Sequence, residues 1–405
     1  MLDIIKIGSV FITMLLLLRL KWNIGYVMLV ASAILFLLYQ SSPETMFKTV
    51  VATVTDSVTI KLFFSLTLIR IIEMILREKG ILKMMTETTK RLLKGRRAVI
   101  VSMPLLIGLL PSLGGAYFSA PMVEESTRDL NMSRNEKAFI NYWFRHPWEF
   151  VLPLYPGILL ASALSKTDLR DLILANTVFA VMVIVTGFLF SMKDRNIRLI
   201  NSGIKGNPIK GNEIRSLLCF LPIVIILFLV LVAHIDLHYA FLITITGLLI
   251  FYRIKTVEIG RLLRYGFTKD VIVLIFGTIL FKFAMESSGA VEHLNSFFVG
   301  REIPLLPILF LLPFISGLLT GLTIGFVGST FPLLMSMGGG LSISQLCFAF
   351  VSGYAGVLVS PVHLCLVLTR EYFRADLAEV YKRIMPATLL VLLSALIEFF
   401  ILSKI

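Results

Sequence analysis

Apolar residues come in long unbroken runs along this chain and seldom alternate with polar ones. Stretches near 3–20, 22–39, 52–76, 138–164, 171–192, 214–233, 237–252, 268–287, 345–369 and 384–402 are dominated by Leu, Ile, Val, Phe and Ala. A hydrocarbon core of about 30 Å takes about 20 residues of helix to cross, so the pattern predicts ten crossings in an all-α polytopic membrane protein. Two further segments, 98–127 and 303–338, are as apolar but carry Pro, Gly and Ser near their middles, as in LLPSLGGA from Leu109. Unbonded backbone facing lipid costs several kcal/mol per group. Such breaks must therefore be buried in protein or line a wet cavity.

Charge decides how the broken segments run. Hydrophobic residues make up 57% of the chain and charged residues 16%, with a net charge of +13. The basic residues sit in short loops beside apolar runs, which is the distribution of the positive-inside rule and not of a nucleic-acid surface. With both termini outside and both broken segments entering and leaving on one side, roughly 28 of the 38 Lys and Arg fall inside and about five outside. Full crossing by either segment would flip every later loop and erase that bias. Both are therefore expected to be re-entrant hairpins. The opening MLDIIKIGSV reads as the first span, because it lacks a basic leader and a small-residue cleavage site. Cys219, Cys347 and Cys365 lie within apolar runs without metal-ligand spacing, so they read as packing residues, and no cofactor is expected.

The order of features repeats. Residues 1–200 form one unit, 201–213 a cytoplasmic linker, and 214–405 a second unit. GAYFSAPMV resembles GFVGSTFPLL, and Pro153 and Pro361 stand at corresponding places. Five crossings per unit is an odd number, so the second unit is inverted relative to the first. Inverted repeats with broken helices place a binding site at the midplane where the units meet.

The segments LLPSLGGAYFSAPMVEE, NYWFRHPWEFVLPLYPG, GFVGSTFPLL and SGYAGVLVSPVHLCLVLTREYF resemble the ion-transporter superfamily of citrate, gluconate, dicarboxylate and arsenite carriers. They are most similar to an uncharacterised prokaryotic family of integral membrane proteins within it. The resemblance implies a cytoplasmic-membrane homodimer with a fixed scaffold, a mobile elevator-type transport part and a small anionic solute. Sodium-coupled members carry Ser-Asn-Thr in each half. This sequence has Ser112-Leu113-Gly114 and Gly328-Ser329-Thr330 instead, which sets H⁺ ahead of Na⁺ as the coupling ion.

Candidate site residues follow from the breaks. Ser112, Gly114 and Gly115 in the first hairpin, and Gly328, Ser329 and Thr330 in the second, offer amides and hydroxyls at helix ends; close helix packing is the competing use of such small residues. In the interrupted helix 138–164, Asn141, Arg145, His146 and Glu149 stand inside an apolar run, where a charge is costly unless paired or functional. The Arg145 fork suits a carboxylate, while His146 and Glu149 could carry the coupling ion; a structural Arg145–Glu149 pair is the alternative. In the interrupted helix 345–369, Gly353, Gly356 and Pro361 are expected to loosen the helix, with Ser352, Gly353 and Tyr354 as substrate partners and His363 as a structural histidine. Helical spacing pairs Arg70 with Glu73 and Lys282 with Glu286.

The expected function is a secondary active transporter for a small organic anion and not an enzyme; no Walker motif is present. A cation/proton antiporter or an inorganic-oxyanion carrier on the same fold is the alternative. A membrane-embedded enzyme would require His146, Glu149 and His363 to converge around one cavity.

Overall fold

The computed structural model describes residues 2–20, 22–93, 95–109, 111, 115–128, 130–191, 217–290, 304–335, 337 and 340–402, and all regular structure among them is helical. The first half holds α1 (Leu2–Arg19), α2 (Ile24–Leu38), α3 (Pro43–Thr55), α4 (Ser57–Glu78), α5 (Ile81–Leu92), α6 (Arg96–Gly108) and α7 (Gly115–Ser126). It continues through α8 (Arg134–Trp143), α9 (Trp148–Val151), α10 (Pro156–Ser165) and α11 (Leu169–Phe190). The second half holds α12 (Leu221–Leu231), entered by a short 3₁₀ turn, then α13 (Leu237–Phe251), α14 (Thr256–Gly266) and α15 (Lys269–Ser287). It ends with α16 (Leu305–Thr320), α17 (Thr323–Met335), α18 (Ile343–Leu358), α19 (Leu364–Phe373) and α20 (Leu377–Leu402). The linker 201–213 and the first-hairpin residues Ser112 and Gly114 lie outside the described residues.

Side-chain caps fix many of the helix starts. Asn23, Ser42, Ser133 and Asp168 each accept a backbone N–H of the following helix, and Ser342 with Gln345 closes a reciprocal capping box. Such caps also correct one predicted span. The run 52–76 is two helices, because Asp56 takes extended backbone and accepts the N–H of Thr59 at 2.9 Å, ending α3 and starting α4. Two predicted basic loops are helical as well: α5 and α14 place apolar residues such as Ile81, Met85 and Leu262 inward and most of their charges outward.

Among the described residues, three stretches, 134–165 taken through its breaks, 169–190 and 377–402, are long and apolar enough to cross a membrane. The last two also carry exposed apolar stripes: Val178, Val181, Val185 and Leu189 on α11, and Leu389, Leu393, Ile397 and Ile401 on α20. In each broken segment the two flanking helices pack on each other, α6 on α7 and α16 on α17. In the second, Gly321 supplies the left-handed turn (φ 61°) that stops α16.

Both interrupted helices are interrupted, the first at 144–147 and 152–155 and the second at 359–363. In the second, the break falls around Pro361, as expected, and not at the glycines. The helix α18 runs intact through Gly353 and Gly356, which instead let α16 and α18 touch backbone to backbone: a Cβ at Gly317 would strike the Gly353 carbonyl, and one at Gly356 the Phe314 carbonyl. The paired elements α7 and α17, α10 and α19, and α11 and α20 begin at Gly115 and Thr323, Pro156 and Leu364, and Leu169 and Leu377. Each of these second starts comes 208 residues after the first.

Two expected ion pairs form elsewhere. Glu73 pairs with Arg77, one turn further on, while Arg70 turns to Tyr265, donating to its carbonyl at 3.1 Å with its guanidinium 4.8 Å from the ring centre. Lys282 spans to the Leu164 carbonyl at 3.2 Å in place of Glu286. Lys61 and Asp236 join the two halves at 2.8 Å on the surface.

Candidate functional site

A broken helix leaves carbonyls without an i+4 donor, and buried carbonyls need partners. Here each half supplies the other. Tyr142 of α8 donates its hydroxyl to the Leu358 carbonyl at 2.9 Å, and Tyr354 of α18 donates to the His146 carbonyl at 3.1 Å. Each tyrosine stands four residues before the carbonyl that the other caps. A second correspondence lies at the hairpins. Tyr155, just past the first break, donates to the Gly108 carbonyl at the end of α6, and His363, just past the second, bonds the Gly321 carbonyl at the end of α16 at 2.7 Å. Trp148 to Leu105 and Ser360 to Leu318, both at 2.7 Å, complete the set. The breaks and hairpin turns of both halves are thereby tied to one place.

A cavity of about 250 Å³ opens there. Its walls include Pro111 of the first hairpin turn and Leu322 of the second, with Arg145, His146, Glu149 and His363 between them. It shares Pro111, Pro156 and Leu322 with a larger recess of about 990 Å³, whose rim carries the exposed Arg19, Asn23 and Asp270.

Arg145 decides what the cavity can hold. It is 4% exposed, and its Nε and Nη1 have no hydrogen-bond partner. The expected structural pair with Glu149 does not form: the Glu149 carboxylate accepts the Thr323 hydroxyl from the start of α17. A buried guanidinium with two idle donors is costly unless an anion completes it. His146 and His363, expected to act apart, face each other across the cavity with Nε2 atoms 3.1 Å apart.

The other sequence candidates take different places. Asn141 is fully used by the protein: its amide nitrogen donates to the Ala116 carbonyl (3.0 Å) and Thr369 (2.9 Å), and its oxygen accepts from Ser119 at 2.7 Å. It clamps α7 to α8 and α19. Gly115 is buried at the start of α7. Ser329 is paired with Ser316 at 2.6 Å, while Thr330 and Ser352 bond back to the Phe326 and Phe348 carbonyls at 2.7 Å. Gly328 lies against Ile24, Thr278 and Leu160, and Gly353 faces the Phe326 ring. Tyr354 is the carbonyl cap described above. Sequence reasoning missed Cys365, which lines the cavity as a free, half-buried thiol. Its position two residues after His363 was the available signal.

A family model described as a protein of unknown function (DUF401) matches residues 4–402. The chain belongs to the DUF401 family. No curated protein matches it. The DUF401 match spans both hairpins, both interrupted helices and every residue of the cavity.

Proposed function

We propose that this protein is a secondary active transporter for a small organic anion, built from two inverted repeats and working by alternating access. The observation that carries the reading is Arg145, buried at the wall of a cavity with two guanidinium donors unused. A carboxylate fits that fork with two parallel bonds. The reciprocal tyrosine caps and the starts spaced by 208 residues support the repeat. The exposed apolar stripes on α11 and α20 support lipid around the perimeter. The likeness to citrate and dicarboxylate carriers in the quoted segments points to the same class, and with it to a dimer with elevator motion.

The recess gives this reading a direction. Its rim residues, Arg19 at the end of α1, Asn23 at the cap of α2 and Asp270 at the start of α15, lie at the helix ends that the charge count assigns to the cytoplasmic side. The conformation described is therefore the inward-open one, with the cavity reached from the cytoplasmic face past the second hairpin turn.

Uptake into proteoliposomes tests the proposal. Radiolabelled citrate, succinate and gluconate are offered under an imposed pH gradient and, separately, a Na⁺ gradient. At least one is expected to accumulate, with the pH gradient the stronger drive. A charge-assisted hydrogen bond contributes about 1.5–3 kcal/mol, so Arg145→Ala is expected to weaken apparent affinity roughly 10- to 100-fold, and Arg145→Lys to restore part of it. Wild-type uptake by the alanine variant would remove Arg145 from the site. Uptake of oxyanions alone would favour the inorganic-anion carrier. A membrane-embedded hydrolase draws on one observation, the convergence of His146, Glu149 and His363; ester or peptide turnover without uptake would favour it.

A further inference from the structure

The two cavity histidines are held in a defined protonation pattern. His146 Nδ1 lies 2.7 Å from the Tyr142 carbonyl, and His363 Nδ1 lies 2.7 Å from the Gly321 carbonyl. A carbonyl only accepts, so Nδ1 carries the proton on both rings. The Nε2 of each neutral imidazole is then a bare lone pair, and the two lone pairs point at each other across 3.1 Å. That contact is repulsive unless an electrophile lies between them. Cys365 brings its sulfur to the same place: the three ligand atoms of His146, His363 and Cys365 lie within 4.8 Å of one another.

We propose that His146 Nε2, His363 Nε2 and the Cys365 thiolate bind one divalent transition-metal ion of the Zn²⁺ or Co²⁺ class, leaving a fourth coordination position open to the cavity. A tetrahedral ion with metal–nitrogen bonds of about 2.0–2.1 Å sets its two nitrogens roughly 3.3 Å apart, close to the spacing present. Donation of the remote ring N–H to a backbone carbonyl is how metal-bound histidines are oriented. Two imidazoles and a thiolate suit zinc, cobalt or copper; they do not suit magnesium, calcium or sodium, which take oxygen. Binding sends the Cys365 thiol proton to solvent and leaves the sulfur as a ligand. Binding replaces one thiol proton with a divalent cation, so the cavity beside Arg145 gains positive charge and the open position faces a site complementary to an anion. The site stands on these three side chains and does not depend on the transport reading.

Cobalt reports the donor set directly. Purified full-length protein in detergent is titrated with Co²⁺ alone. The expected result is one bound ion per chain, with the visible ligand-field bands of a tetrahedral site and a near-ultraviolet thiolate-to-cobalt band. Cys365→Ser is expected to retain binding but lose the charge-transfer band. His363→Gln or His146→Ala is expected to weaken binding at least about 100-fold. Zn²⁺ should displace the cobalt and bleach the spectrum. The proposal is overturned if neither Co²⁺ nor Zn²⁺ is retained, or if the wild-type spectrum persists when Cys365 and His363 are replaced together. It is equally overturned if a strongly deshielded imidazole proton persists at saturating zinc, which would place a shared proton between the rings. The wild-type spectrum reads the ligands even where a variant fails to fold. The absence of a bound metal in the wild-type protein would overturn this site without bearing on the uptake test, which reads Arg145.

Discussion

Tyr142 and Tyr354 reach across from opposite halves, but the carbonyls they meet differ: Leu358 has the Tyr142 hydroxyl, whereas His146 also accepts the Glu149 N–H at 3.3 Å. Removing the Tyr142 hydroxyl leaves a buried carbonyl without its donor, at about 1–3 kcal/mol. Tyr142→Phe is therefore expected to lower the unfolding midpoint in mixed micelles by more than Tyr354→Phe; equal shifts would overturn this ranking. At this scale the sequence shows which residues are out of place in an apolar run and not which of them meet. Arg145, His146 and Glu149 are legible because a charge inside a hydrophobic stretch needs a reason. Asn141 and Ser329 are legible as polar for the same reason, yet their hydrogen bonds are consumed by Ser119, Thr369 and Ser316. That His363 and Cys365 meet His146 is not legible, because His146 lies 217 residues from His363 in the chain.

Helix breaks are readable where proline causes them, as at Pro111, Pro153 and Pro361. They are displaced where a cap causes them, as at Asp56, whose carboxylate ends one helix by bonding the next. Glycine does not break the helix where it serves contact, as at Gly353. The charge density of α5 and α14 hides the apolar period that makes them helices. The turn of the second hairpin carries a test of its own. Leu322 is 45% exposed and lines both the cavity and the recess, whereas Phe331, two turns into α17, is fully buried. In a chain whose three cysteines are replaced by serine, Leu322→Cys is expected to react rapidly with a membrane-impermeant thiol reagent added from the cytoplasmic side, and Phe331→Cys to stay inert. Equal reactivity would place the turn in lipid and end the re-entrant reading.

For the molecule as a whole, orientation follows from where the basic residues fall. A fluorescent protein that matures only in the cytoplasm is expected to stay dark when fused after Ile405 and to shine when inserted within 201–213; the reverse pattern would invert the topology and make the described state outward-open. The all-helical class was legible at this scale, because the long apolar runs seldom alternate with polar positions as strands would. The contacts between the halves were not, since nothing in a single chain says that Tyr142 reaches Leu358.

The exchange of caps between the halves also bears on how the protein is made. When the first two hundred residues leave the ribosome, the buried Tyr142 hydroxyl has no acceptor, because that acceptor is the carbonyl of residue 358. The first interrupted helix must wait, incomplete, for nearly the rest of translation. Expressed alone, either half should be an orphan cleared by membrane proteases; expressed together as separate polypeptides, the two should rescue each other.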